Sequence, residues 1–231
     1  YGDLTPGLAV PPVTRMEPPQ QGERKVLVER EGNAFYLYTG YRAPEATHPD
    51  WFKMALVSSV LVGASAPGGG GAGNRTSRLY RALVETELAA SVGGSLSPSI
   101  NPYLFGITVT ARDGRSPDEV QAALDVELDR VRGGDITQVE LDKAKKQTKA
   151  LFAYGIESVT GLAFWLAFSE NFLSYTWYER YLERLDAVTL DDVHDAASRY
   201  LRPSQRTVGW FIPTNGAIEA AQDLKAEEVQ R

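Results

Sequence analysis

The order in which hydrophobic periodicities follow one another limits the fold of this chain more than any single residue does. Residues 25–30 and 33–42 read as two extended runs around Glu31 and Gly32, with glycine at the permissive position of a tight turn, so a hairpin is expected there. Tyr103, Phe105, Ile107, Val109 and Ala111 alternate with Gly106, Thr108, Thr110 and Arg112, the period of a half-buried strand. The segment 89–97 ahead of it contains Gly93 and Gly94 and reads as an irregular or bulged strand. Residues 207–212, rich in β-branched and aromatic side chains, read as a closing strand.

Helical spacing fills the gaps. Phe52, Leu56, Val60 and Gly63 recur at helical intervals behind Pro49 and Asp50. After a glycine-rich break over 64–74, residues 76–87 predict a second helix with Leu79, Leu83 and Thr86 on one face. Ser116 with Glu119, and Thr137 with Glu140, are capping-box pairs that start two further helices. Residues 156–175 are apolar nearly all round, the pattern of a buried helix. Short helices are expected over 177–185 and 189–201. Strand pairs adjacent in sequence, with helices grouped after them, predict an α+β fold whose antiparallel sheet is covered on one face by helices.

The first 22 residues carry Pro6, Pro11, Pro12, Pro18 and Pro19 among glycines, the composition of an inter-domain linker. The domain is expected over 23–213, followed by a polar, alanine-rich tail over 214–231 that predicts a terminal helix. Residue 1 is tyrosine, and neither a basic n-region nor an apolar h-region follows it, so the chain reads as a soluble piece of a longer polypeptide. The longest apolar stretch, 54–66, is broken by Ser58, Ser59 and Gly63 and is too short to span a bilayer.

Composition excludes most self-contained chemistry. The 231 residues include no cysteine and two histidines, His48 and His194. Disulfide frameworks, cysteine nucleophiles and thiolate metal sites are therefore out, and the histidines are too few for a zinc site built within the chain. A net charge of −6 argues against nucleic acid or an anionic membrane as the main partner. Residues 68–73 satisfy G-x-G-x-x-G, but helical spacing precedes them and no acid on a following strand completes a dinucleotide site. Asp191 and Asp192 stand in a first helical turn, where carboxylates favour the helix dipole. No catalytic and no metal-ligating residue is assigned within the chain.

The run Ser77-Arg78-Leu79-Tyr80-Arg81-Ala82-Leu83-Val84-Glu85, then Leu88-Ala89-Ala90-Ser91-Val92, resembles the C-terminal half of pitrilysin-type (insulinase-like) zinc metallopeptidases of the bacterial two-subunit kind. The likeness extends from Glu23 through Tyr181-Leu182-Glu183-Arg184-Leu185 to Tyr200-Leu201-Arg202-Pro203. The resemblance implies half of a clamshell. An N-terminal half would carry H-x-x-E-H and the zinc, and peptide substrate would be held as an added β-strand. The C-terminal half would form the cleft wall. In many members it supplies an Arg and a following Tyr that position the scissile bond.

Here Val84 and Ala90 occupy the Arg and Tyr positions, and neither side chain donates a hydrogen bond. This half therefore lacks both the metal and the assisting pair. Zinc is expected only in the full-length protein. The implied partners are the chain's own N-terminal half, a second pitrilysin-type subunit bearing the Arg–Tyr pair, and peptide, without nucleic acid or membrane. The implied source is bacterial, cytoplasmic or periplasmic. The alternative is a non-catalytic homologue that serves as a subunit-assembly scaffold.

Overall fold

The computed structural model describes residues 17–65 and 75–214, with isolated positions before residue 12. Residues 66–74 of the glycine-rich break and the tail beyond residue 214 lie outside the described residues, and so does the terminal helix expected there. Five strands, β1 (Arg24–Arg30), β2 (Tyr36–Ala43), β3 (Ala89–Leu96), β4 (Tyr103–Ala111) and β5 (Arg206–Pro213), form one sheet in the order β1-β5-β2-β4-β3.

The expected hairpin between the first two strands does not form. β5 lies between them, pairing parallel to β1 from Arg24 opposite Thr207 to Arg30 opposite Pro213, and antiparallel to β2. Charge decides the order. One face of β1 carries Lys25 and Glu29 and the other Arg24 and Arg30, so a central β1 would drive charges under the helices. β5 instead supplies Val208 to the core, and β1 is left as a solvated edge, exposed along its length. The sheet is therefore mixed, with antiparallel pairing at its other junctions.

Leu37, Thr39 and Tyr41 of β2 stand opposite Val109, Ile107 and Phe105 of β4, and all are buried on the helix-covered face. Tyr36, Tyr38 and Thr108 point the other way and are exposed. Gly106 lets Tyr38 lie across the sheet, since a Cβ there would come within 2.6 Å of the Tyr38 hydroxyl.

The helices are α1 (Asp50–Val62), α2 (Pro117–Arg132), α3 (Gln138–Gly155), α4 (Val159–Glu170), α5 (Thr176–Glu179), α6 (Tyr181–Ala187) and α7 (Leu190–Tyr200). Both expected capping boxes are present, Ser116 with Glu119 and Thr137 with Glu140, and Thr189 forms a third with Asp192. α1 runs through the centre. Its Trp51 packs edge-on against Trp177 at 5.2 Å between ring centroids, and its Phe52 against Tyr181 at 5.2 Å. Trp177 also donates its indole N–H to the Ala46 carbonyl at 2.9 Å. Arg206, 7% exposed, ties β5 to α2 through two hydrogen bonds to Asp125 and reaches Glu23 as well.

The expected buried helix over 156–175 is α4, and it is not buried. Only Trp165 and Ser169 are enclosed, while Val159 is 87% and Phe164 57% exposed. The chain turns by 110° between α3 and α4, which carries α4 over the outside of the helical layer. Trp165 stacks on Tyr178 at 5.6 Å and anchors the inner side, while the exposed Phe164 packs on Trp165 and Phe168 of its own helix. No single described helix is long and apolar enough to cross a membrane.

Candidate functional site

The stretch from Ser77 to Val92 departs from regular backbone three times in quick succession. The expected helix over 76–87 is mostly a π turn, Tyr80–Val84, with Glu85 N–H bonded to the Tyr80 carbonyl at 3.1 Å and Leu88 N–H to the Leu83 carbonyl at 2.9 Å. Next, Glu87 adopts φ +60°, a left-handed conformation that costs a non-glycine residue about 1 kcal/mol. Finally, the β3–β4 register slips between Ala89 and Ser91, leaving Ala90 as the bulged residue. The irregular strand predicted from Gly93 and Gly94 is thus present, with its bulge a few residues earlier.

Both ends of this stretch are fixed, and the π turn takes up the residue that a straight helix could not fit between them. At the start, Arg78 donates to both carboxylate oxygens of Glu140 at 2.7 and 2.8 Å and also reaches Asp135. Burial works against ionisation of Glu140. The Arg78 and Thr137 hydrogen bonds outweigh it and hold the carboxyl at about 2. Leu79 and Leu83 are fully buried, so the turn is nailed to the core. At the far end, Ala89 is buried and paired with Ala111 of β4. Arg115 donates to the Glu87 carbonyl at 3.2 Å, and Arg112 pairs with its side chain at 3.4 Å, which supports the left-handed residue.

Val84 is the last residue of the π turn, half-buried and packed on the core. Ala90 stands exposed at the bulge. Beyond it, β3 pairs with β4 on one side only, and no strand among the described residues covers its other edge. Gly94 keeps this edge close to α1, because a Cβ there would lie 2.8 Å from the Gly106 carbonyl and 2.9 Å from Val62.

The histidines do not converge on this corner. The His48 Nδ1 accepts from the Asp50 N–H at 3.1 Å, and the His194 Nε2 lies 2.8 Å from the Ile136 carbonyl. No group of three His, Asp or Glu side chains among the described residues is arranged to hold a metal. The described residues therefore offer zinc no ligand set. Among the described residues Asp50 is the one deeply buried carboxylate, and burial disfavours its charge. Lys53, Tyr200 and Arg199 outweigh that and keep its carboxyl below the usual range, a structural pinning of α1 to α7. A cavity of about 420 Å³ beside it is lined by Phe52, Lys53, Arg184 and Asp192. Sequence reasoning missed both the Arg78–Glu140 anchor and the exposure of α4; ion pairs between distant residues leave no local pattern.

A model of the peptidase M16 inactive domain matches residues 3–148. The chain belongs to the M16 peptidase family. Among curated M16 relatives, the zinc protease PqqE of Helicobacter pylori is 28% identical over 213 residues, covering 89% of this chain and 44% of that protein. The chain thus spans less than half the length of this relative. The crystal structure of a protease from Helicobacter pylori superposes with a TM-score of 0.80 at 23% identity, over 90% of this chain and 49% of that one. A solved inactive peptidase domain from Bordetella parapertussis gives a TM-score of 0.68 at 26% identity, over 80% of this chain and 96% of that one. The M16 fold accounts for the mixed five-stranded sheet and its one-sided helical layer.

Proposed function

We propose that this M16 domain is the C-terminal, substrate-cleft half of a zinc-dependent peptidase that hydrolyses peptide bonds. The observation that carries the reading is the irregular corner from Tyr80 to Ala90, which leads into the open edge of β3; on this reading Val84 and Ala90 stand where the family has its Arg and Tyr. Tight, strained backbone is concentrated where a surface must hold one geometry against a ligand. An open edge presents alternate N–H and C=O groups to an extended peptide.

Val84 and Ala90 offer only apolar contact, so this half shapes the cleft and does no bond-breaking. The metal and H-x-x-E-H belong, on this reading, to an N-terminal half of the same polypeptide. The Arg–Tyr pair belongs to a second M16-type subunit. The zinc would supply activated water; the residues here supply an edge and a wall.

The test is a reconstitution. The isolated chain is expected to take up no zinc and cleave no peptide. The complete polypeptide mixed with its second subunit should hydrolyse peptides until a chelator is added. Chelator-sensitive hydrolysis by the isolated chain would overturn the reading. An assembled but inert complex would point to the scaffold role instead.

A further inference from the structure

The cavity of about 420 Å³ beside Asp50 has a chemistry that the fold itself does not use up. It opens where the start of α1 faces the end of α6 and the first turn of α7. Pro49, Phe52, Ala187 and Val188 form an apolar wall, and Arg184, Lys53 and Asp192 bring charge to it. This size, with a few charges converging on an apolar wall, is that of a small-molecule site. The cavity is remote from the open edge of β3. Gly94 on that strand meets Val62 at the far end of α1, about 18 Å along the helix.

The charges around the cavity are not equivalent. Lys53 lies 3.2 Å from Asp50 and 2.9 Å from Asp192, so it is neutralised within the fold. The other oxygen of Asp192 accepts from the Thr189 N–H and hydroxyl at 3.0 and 2.8 Å. Asp186, two residues along α6 from Arg184, is paired with Lys149 at 2.6 Å. These acids are committed elsewhere, and among the described residues no carboxylate pairs with Arg184. Its guanidinium lies instead over the Phe52 ring, 5.8 Å from the centroid. That contact steadies the planar group and leaves its fork of N–H donors without an anion.

The ligand follows from this balance. Arg184, Lys53 and Asp192 sum to one positive charge, which matches a single carboxylate and falls short of a phosphate dianion. The apolar wall takes an aliphatic body. An ammonium beside the carboxylate, as in a free amino acid, would come against Arg184 and Lys53, while Asp192 is already tied to Lys53 and Thr189.

We propose that this cavity binds an apolar monocarboxylate with no amine beside its carboxyl group, held through Arg184, with Phe52 and Val188 against its aliphatic part. Two sources share this chemistry: the free C-terminus of a peptide ending in an aliphatic residue, and a short branched acid. The site goes beyond the proposed function and does not depend on it.

The test uses the 231-residue chain, followed by its amide NMR shifts. The probes are N-acetyl-L-leucine, N-acetyl-L-leucinamide, L-leucine, 4-methylpentanoate and inorganic phosphate. At least one of the two acids that lack an amine should shift residues 47–53 and 184–192, with a dissociation constant of about 1 mM for so small a ligand. Tighter binding of N-acetyl-L-leucine assigns the peptide end and tighter binding of 4-methylpentanoate the free acid; either supports the proposal. L-leucine and the leucinamide should bind at least about tenfold more weakly, and Arg184→Gln should weaken the better acid by a similar factor. Ala187→Phe fills the cavity without altering a charge and should abolish binding in a chain whose spectrum stays folded. Amide and acid binding alike would overturn the proposal. So would phosphate shifting the same residues equally, full affinity in folded Arg184→Gln, or no shift with either acid.

Discussion

α1 and α4 are both written in apolar and aromatic residues, yet they meet opposite fates. Ten of the thirteen residues of α1 are buried, against Trp165 and Ser169 alone in α4. α1 lies between the sheet and α3, α6 and α7, and its rings interlock with Trp177 and Tyr181. α4 touches the body through one inner stripe. An all-round apolar helix announces that it must be covered; it does not say that its own chain does the covering.

The contrast is broken most forcefully from its buried side. Trp177→Ala removes a ring that is 1% exposed, together with its hydrogen bond to Ala46. A loss of about 3–5 kcal/mol in urea-unfolding free energy is expected. A loss below about 1 kcal/mol would mean that the α1 cluster is no better packed than α4.

The half-buried corner is the intermediate case. Glu140→Gln should cost about 1–2 kcal/mol at neutral pH, discounted because the pair is partly open to solvent. The Glu140 carboxyl is held at about 2, below its ordinary 4.5, so the charged pair stabilises the fold above pH 4.5 and that stability is lost as pH falls toward 2. Unfolding curves of the two proteins should therefore converge in acid. A gap that widened on acidification would exclude Arg78–Glu140 as the anchor of the π turn.

At the exposed end, Phe164→Ser should change the stability of this chain by less than about 1 kcal/mol, because a ring 57% exposed loses only part of its burial along with its contacts to Trp165 and Phe168. Its melting temperature should stay close to that of the unaltered chain. A large drop would show that α4 belongs to the core after all.

Much of this arrangement was written locally. The capping boxes at Ser116 and Thr137 and the alternation from Tyr103 to Ala111 each encode an element within a few residues, and each is present. Gly93 and Gly94 flagged a strand that does carry a bulge. What failed was set by distant partners. The glycine at Gly32 lies where the chain passes from β1 to β2 but cannot reveal that β5, arriving from the far end of the chain, takes the place beside β2. The π turn depends on Arg78 finding Glu140, and no window of sequence contains both. At the candidate site, the resemblance singled out Val84 and Ala90. The bulge and the left-handed Glu87 around them came from the backbone alone.

The parallel pairing of β1 with β5 also has a bearing on time. Arg24 meets Thr207, so nearly the whole chain must be made and the rest of the sheet assembled before the first strand finds its place. During synthesis β1 emerges early and waits, its charged side chains keeping it from pairing with strangers. Its ladder to β5 can form only once Arg206–Pro213 has been made, so the first strand of this sheet waits on the last.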